Sequence, residues 1–137
     1  LKFQTESKTL LLPKTFNVIT MTLPNLYAGK MHAVLCRKWA SRVKGRDWFD
    51  FEWYVKRNTP LNLTHLQERM YESGDLDKNI NLDERLFKEF MYKRIDELDV
   101  TAAIKEVSPF IKDKSGFEFW TKEYFKLLVD RVLFDNI

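Results

Sequence analysis

The sequence has few of the residues that crosslink, break or anchor a chain. Its single cysteine, Cys36, excludes an internal disulfide framework and suits a reducing cytoplasm. No apolar run approaches the ~18 residues of a membrane-spanning helix, and no signal peptide is visible. The four glycines are isolated from one another, which excludes a glycine-rich phosphate loop. With only four prolines as well, the chain is not expected to be disordered or dominated by loops.

The chain is rich in core-forming residues. Hydrophobic residues make up 45% of its 137 positions and aromatic residues 15%, which is ample for a packed core. This length is enough for one domain or for part of a larger one. Because the chain begins at Leu1, within an extended pattern, we expect a longer polypeptide to continue upstream.

Positive charge is concentrated in one segment. The whole chain carries a net charge of +3, but residues 30–57 hold eight basic and three acidic side chains, a local charge of +5. A local positive field can attract a polyanion such as RNA or a nucleotide even when the whole protein is nearly balanced. A solvated basic helix face explains the charge equally well.

The N-terminal residues are predicted to be extended. The segments 2–12 and 16–22 read as two strands joined by a turn at Pro13, so that 1–23 forms a β-hairpin. Two strands alone are marginally stable in water. We therefore expect this hairpin to complete a sheet in the same protein or in a partner.

The rest of the chain has helical periodicity. The apolar spacing changes to three and four residues from Pro24 onward. The predicted helices cover 24–41, 47–56, 63–74, 84–98, 101–107 and 118–134. The expected fold is mainly α, a helical bundle after a short β-hairpin. We expect a single domain with motif-bearing helices in 24–57 and a trailing bundle in 62–137, and the loop 75–80 is the best place for a weak division.

The start of the second helix is predicted from its acidic residues. Asp47 is placed as the N-cap and Asp50 as the third helical residue. The side of this helix that faces the core is expected to carry Phe49, Trp53 and Tyr54.

A basic face is predicted on the first helix. Lys30, Ala33 and Arg37 stack along one side because residues three, four and seven apart are neighbours in a helix. The small residues Ala28 and Gly29 beside Lys30 would let a ligand approach closely. The alternative is a lysine whose aliphatic stem packs on the bundle while its charge reaches water.

Two further sets of residues are weaker candidates. His32 and Cys36 are four apart on one helix face, a spacing that can ligate zinc, but no second ligand pair is visible and His65 stands alone. Ordinary packing is therefore the preferred interpretation of this pair. Four tryptophans could stack on nucleic acid bases, but their helical spacing favours core positions: Trp39, Trp48, Trp53 and Trp120.

The motif-bearing segment resembles a known family. The block AGKMHAVLCR at 28–37 and the block KGRDWFDFEWYV at 44–55 resemble the late motifs of the AbiEii/AbiGii nucleotidyltransferase toxins. The family pattern of Lys, Ala and Arg is matched by Lys30, Ala33 and Arg37. Its Arg-Asp-x-x-Asp motif is matched by Arg46, Asp47 and Asp50. The recognisable resemblance spans about 23–57.

The resemblance implies an activity and its partners. The chain would be the C-terminal part of an α+β nucleotidyltransferase that moves a nucleotide from a nucleoside triphosphate (NTP), with Mg²⁺, to an acceptor such as tRNA. A cognate antitoxin and a role in phage defence are also implied. The family's upstream Gly-Ser motif and paired Asp-x-Asp are absent from these 137 residues. We therefore expect this chain to be inactive without upstream sequence that supplies them.

The resemblance also implies roles for five residues. Lys30 and Asp47 would be catalytic, with Asp47 acting as a base or metal partner. Lys30, Arg37 and Arg46 would bind nucleotide phosphates. Asp50 would support the site by orienting Arg46 or Lys30, and Arg46 either holds a phosphate or locks the aspartate pair.

A non-catalytic alternative remains open. The basic helices could form a module that binds RNA or the antitoxin, with Asp47 and Asp50 only capping a helix. Convergence of Lys30, Arg46 and Asp47 on one cleft within about 4–6 Å would favour the catalytic site. An Asp47 that faces its own helix amides, with Lys30 in open solvent, would favour the module.

Overall fold

The computed structural model describes residues 22–37 and 44–135, and this part of the chain is mainly helical, as predicted. Its elements in chain order are α1 Leu23–Cys36, α2 Gly45–Lys56, β1 Pro60–Leu61, α3 Leu63–Ser73, α4 Glu84–Asp96, α5 Val100–Val107, α6 Lys122–Asp130 and β2 Leu133–Phe134. Two 3₁₀ turns, Ser108–Phe110 and Ser115–Phe119, lie between α5 and α6. The predicted β-hairpin, apart from Thr22 and Leu23, and the predicted helical residues 38–41 lie outside the described residues.

The helices pack around one apolar core. α1 contacts α2, α3 and α4, while α2 contacts α5 and α4 contacts α6. The largest fully buried side chains come from several helices and include Tyr27, Trp48, Phe87 and Phe125. The two short strands β1 and β2 pair in parallel, Pro60 with Leu133, and join the end of the chain to the segment after α2. Among the described residues, no helix combines the length and apolar character that crossing a membrane requires.

Side-chain caps mark several helix starts. The side chains of Asn62, Asp83, Asp99 and Thr121 each accept a hydrogen bond from the backbone N–H three residues later. The starts predicted for α3 and α4 are therefore confirmed, and that of α5 agrees to within one residue. Gly74, with φ of 80°, ends α3 in the left-handed region that favours glycine.

The last predicted helix was wrong in its extent. A continuous helix over 118–134 was expected, but α6 covers only Lys122–Asp130. Thr121 caps α6 and is extended, so Trp120 precedes the helix and does not belong to its apolar stripe. After Asp130 the chain leaves the helix and forms β2, because it pairs there with β1.

The predicted core face of α2 was wrong for Trp53, whereas Phe49 and Tyr54 pack against the core. The fully buried residues of this helix include Trp48 and Phe51, whereas Trp53 is 41% exposed and Phe49 and Tyr54 are only partly buried. α2 also buries Glu52, which accepts hydrogen bonds from Trp120 Nε1 at 3.2 Å and from the Tyr124 hydroxyl. These contacts link α2 to Trp120 and Tyr124, and hydrophobic periodicity gives no signal for them.

Candidate functional site

Asp47 lies inside α2 and does not cap it, which corrects the prediction. The N-cap is Lys44, and Asp47 is the third helical residue. Its carboxylate turns towards α1, where Oδ1 accepts from Lys30 Nζ and Oδ2 accepts from Arg37 Nη1, each at 2.8 Å. Only 4% of Asp47 is exposed. A nearly buried carboxylate therefore holds two cations that lie two helical turns apart on α1 and its C-cap.

Lys30 is shared between two carboxylates. Besides Asp47, it contacts Asp50 Oδ2 at 3.0 Å. Burial by itself would lower the pKa of Lys30, but the hydrogen bonds and charges of Asp47 and Asp50 outweigh it, so the pKa is raised. Lys30 is therefore charged throughout the neutral pH range.

The C-terminal end of α1 is held by α4. Arg94 donates from Nε to the carbonyl oxygen of Val34 at 2.8 Å and from Nη2 to that of Arg37. These carbonyl groups belong to the last turn of α1, where cations are favoured by the helix dipole. Arg94 thereby fixes the backbone that presents Arg37 to Asp47.

The cluster borders an open cleft of about 320 Å³. The cleft is lined by four basic and three acidic residues: Lys30, Arg37, Lys44, Arg46, Asp47, Asp50 and Glu106. Its formal charge is therefore +1. The cleft is at the small end of the range for ligand sites, which is sufficient for a phosphate chain and small for a whole nucleotide.

Arg46 lines this cleft but is oriented by other groups. Its backbone N–H donates to Glu106 Oε1 at 3.2 Å, and its guanidinium lies over the Phe110 ring at 4.9 Å. The close contacts to Asp47 are made by Lys30 and Arg37. Asp50 pairs with Lys30, one of the two partners expected for it.

Two residues of this arrangement could not be found in the sequence pattern. Glu106 supplies an acceptor to the N-terminus of α2 from α5, and Arg94 braces α1 from α4. Each is about 60 positions from the residue that it contacts. A sequence signal for either is absent, because the pairing depends on how the helices pack.

A second, wider groove lies on the other side of the basic face of α1. It measures about 550 Å³ and shares Lys30 and Arg37 with the first cleft; its other lining residues are Gly29, His32, Ala33, Cys36, Arg69, Ser73 and Asp75. Lys30 and Arg37 therefore separate two solvent-open spaces and are reachable from both.

His32 and Cys36 meet a third polar side chain in this groove. Asp75, which follows α3, lies within 4.8 Å of the ligand atoms of both. Burial, and then the charge and hydrogen bond of Asp75, raise the pKa of the Cys36 thiol to about 12, against the opposing charge of Arg94. Burial and Arg69 lower the pKa of His32, with Asp75 opposing them. Both side chains are therefore neutral near pH 7.

The tryptophans divide between core and surface. Trp48 and Trp120 are buried, as predicted. Trp53 is the exception, since it is 41% exposed and carries the Arg57 guanidinium 4.6 Å above its ring. Trp39 lies outside the described residues.

The acidic residues of the first cleft do not fit the Mg²⁺ ion that the resemblance implies. Both oxygens of Asp47 are engaged by cations at 2.8 Å, and Asp50 contacts Lys30. A magnesium site needs carboxylate oxygens that are free to face the ion. No step is therefore derived through a metal held by these residues.

The comparisons with known proteins extend the resemblance beyond the motifs. A family model described as "Nucleotidyl transferase AbiEii toxin, Type IV TA system" matches residues 3–129. The match includes the trailing helices as well as the motif-bearing segment. No curated protein and no solved structure matches the chain.

Proposed function

Because the chain belongs to the AbiEii nucleotidyltransferase toxin family of type IV toxin–antitoxin systems, we propose that α1 and α2 form the phosphate-binding side of a nucleotidyl transfer site. The observation that carries this proposal is the nearly buried Asp47, which holds Lys30 and Arg37 at the edge of an open cleft. The family supplies the class of reaction, and the geometry supplies the proposed roles of the residues.

The two cations keep donors available for a ligand. A lysine ammonium has three N–H groups. Within the part of the chain that the structure describes, Lys30 directs two of them at Asp47 and Asp50, which leaves one. An arginine guanidinium has five, and Arg37 uses one on Asp47 while its side chain is 42% exposed. The free donors face spaces that water and anions can enter, as expected for groups that bind phosphate.

Asp47 is assigned a positioning role. Fixing two flexible side chains before the ligand arrives reduces the entropy that binding would otherwise lose. A cation beside each oxygen of Asp47 would repel a metal ion at that carboxylate. The role of Asp47 as a base or metal partner, which the resemblance implies, stays a prediction.

The proposed reaction is attack of an acceptor hydroxyl on the α-phosphorus of an NTP. The acceptor oxygen forms the new bond, the bond to the β-phosphate oxygen breaks, pyrophosphate leaves, and the hydroxyl proton is lost. Negative charge grows on the leaving phosphates, and preorganised cations lower the energy of that state. Lys30, Arg37 and Arg46 would supply this charge, while the metal-binding acids would come from the family's Asp-x-Asp motif.

Membership of the family indicates which kinds of partner this protein has. We propose an RNA acceptor such as tRNA, a cognate antitoxin protein, and action in the cytoplasm during phage defence. The second groove, which adds Arg69 to the shared Lys30 and Arg37, offers room for an acceptor beside the phosphate cleft. Its positive side chains suit a nucleic acid backbone.

The test is a transfer assay with matched variants. The native polypeptide is incubated with Mg²⁺, each labelled NTP and total tRNA, and incorporated label is measured. Lys30→Ala should reduce transfer by roughly 100-fold or more because it removes a cation from the developing charge. Lys105→Ala, at an exposed lysine on α5, is the control and should leave transfer unchanged.

The alternative function would be recognised by a different result. If the folded wild-type protein transfers no label from any NTP, the catalytic proposal fails. Retention of tRNA or antitoxin by that inactive protein, with loss of binding in Lys30→Ala, would support the non-catalytic module.

A further inference from the structure

The His32, Cys36 and Asp75 cluster has the composition of a transition-metal site. It contains an imidazole, a thiol and a carboxylate, and their ligand atoms all lie within 4.8 Å of one another. His Nε2 and Asp75 Oδ2 are 3.9 Å apart. Zinc bonds of 2.0–2.3 Å place neighbouring ligands roughly 3.5 Å apart. Contractions of up to about 1.3 Å between ligand atoms would therefore close the three ligands on one ion.

The backbone already holds the three ligands in place. His32 and Cys36 are one turn apart on α1, so both side chains leave the same helix face. Asp75 follows the left-handed Gly74, and its N–H donates to the Met70 carbonyl at 2.9 Å while the Gly74 N–H donates to Tyr71 at 3.2 Å. This pair of bonds is a Schellman motif, which fixes the residue after the helix. The Schellman motif at the end of α3 therefore places Asp75 next to α1.

The Ser73 side chain links His32 to Asp75. Ser73 Oγ donates to Asp75 Oδ2 at 2.5 Å and contacts His32 Nε2 at 3.0 Å. The Ser73 hydroxyl also lies 3.3 Å from the Met70 carbonyl oxygen, and the direction of its contact with His32 Nε2 depends on the imidazole tautomer. The Cys36 thiol lies within 4.8 Å of the ligand atoms of both His32 and Asp75. Ser73 therefore bridges two of the three groups that a cation would draw together.

We propose that His32, Cys36 and Asp75 bind one Zn²⁺ ion, with a fourth position open to solvent. Thiolate and imidazole ligands select zinc over Mg²⁺ or Ca²⁺, and three protein ligands with an open position is an established zinc arrangement. Binding releases the Cys36 thiol proton and requires the neutral imidazole tautomer whose ligating nitrogen carries no proton. One thiolate and one carboxylate then balance the charge of the ion. The ion would tie α1 to the end of α3 inside the wider groove, which is also the groove proposed for the acceptor.

The wider groove supplies the route for the ion. Cys36 and Asp75 line both this groove and a separate cleft of about 300 Å³ next to α4. The Asp75 side chain is 39% exposed, and that of His32 is 22% exposed. Solvent therefore reaches the ligands without any opening of the helical core.

The first experiment titrates the purified metal-free protein with Co²⁺ alone and records its absorption. One equivalent should produce a sulfur-to-cobalt charge-transfer band in the near ultraviolet, and Zn²⁺ should displace it. No such band in folded protein would overturn the proposal. Since no nucleotide is present, a failure here is distinct from a failure of the transfer assay.

The second experiment compares the variants by Zn²⁺ competition with a chromophoric chelator. Cys36→Ser should abolish the cobalt band, and His32→Gln and Asp75→Asn should each weaken Zn²⁺ binding by at least about 10-fold. Asp77→Asn is the matched control in the same loop and should bind like wild type. Asp75→Asn changes an exposed side chain, which keeps the comparison informative if another variant does not fold. Equal affinity in all variants would place the ion elsewhere and refute the assignment.

Discussion

Replacement of Asp47 by asparagine separates the ion-pair role from the capping role. Asparagine caps helices about as well as aspartate, so a capping residue would tolerate Asp47→Asn. In the structure Asp47 instead holds Lys30 and Arg37 at 2.8 Å while only 4% exposed. The asparagine amide keeps one acceptor oxygen for either Lys30 or Arg37, but its NH₂ group faces the other cation and cannot accept a hydrogen bond from it. The variant should therefore be clearly less stable than wild type.

The expected loss follows from the two contacts. A hydrogen bond to a charged group contributes about 1.5–3 kcal/mol. Arg37 is 42% exposed and can recover water, so its share is smaller, and Lys30 keeps Asp50. We expect Asp47→Asn to reduce the free energy of unfolding by about 2 kcal/mol, with a Tm roughly 5–10 °C lower. Urea denaturation with an unchanged m value is the appropriate measurement.

Asp50→Asn is the matched control for this measurement. The Asp50 side chain is 45% exposed and makes one ion pair, so its replacement should change stability by at most about 1 kcal/mol. A double-mutant cycle with Arg37→Gln isolates the pair from the helix-dipole effect, which is about 0.3–1 kcal/mol. If Asp47→Asn is as stable as wild type and shows no coupling to Arg37, the ion-pair reasoning is refuted.

Two further predictions concern the supports of α2. A Cβ atom at Gly45 would lie 2.0 Å from the Ala103 carbonyl oxygen, so Gly45→Ala should destabilise the protein by about 1–3 kcal/mol in urea denaturation, and unchanged stability would contradict this close approach. Burial, followed by the hydrogen bond and charge of Glu52, raises the pKa of Tyr124 above its usual 10.0. The protonated Tyr124 phenol stabilises the folded protein fully below pH 10. This stabilisation is lost as the pH rises above 10, because the phenol of the unfolded chain loses its proton at a lower pH than that of the folded protein. Between about pH 10 and about pH 11, stability should fall by up to about 1.4 kcal/mol more in wild type than in Tyr124→Phe; parallel pH profiles would exclude this origin.

Local patterns were sufficient for the helices that carry their own signals. Asn62 and Asp83 precede apolar residues at helical spacing, and the structure begins helices there. The same method failed for α6, because Thr121 and the strand pairing of Leu133 interrupt a segment whose apolar spacing continues. Apolar spacing identifies a helix more reliably than its ends, since caps and tertiary pairing decide those ends.

The candidate site was predictable in its residue types and less so in its contacts. The spacing of Lys30 and Arg37 placed both cations on one face of α1, and the resemblance paired Lys30 with Asp47. Arg46 was expected at the centre, but its guanidinium lies over Phe110 and Arg37 contacts Asp47 instead. The orientation of α2 about its axis decides which neighbouring arginine reaches the carboxylate, and that orientation depends on packing against α5.

The sequence by itself determined the mainly helical class, the basic face of α1, and the motifs that resemble the AbiEii toxins, because each depends on residues within about two helical turns. Only the tertiary structure decided that Asp47 binds cations, that Glu106 meets the start of α2, and that Asp75 joins His32 and Cys36. Those contacts join residues 10 to 60 positions apart. They arise from the angles and distances at which helices pack, and no local periodicity encodes these.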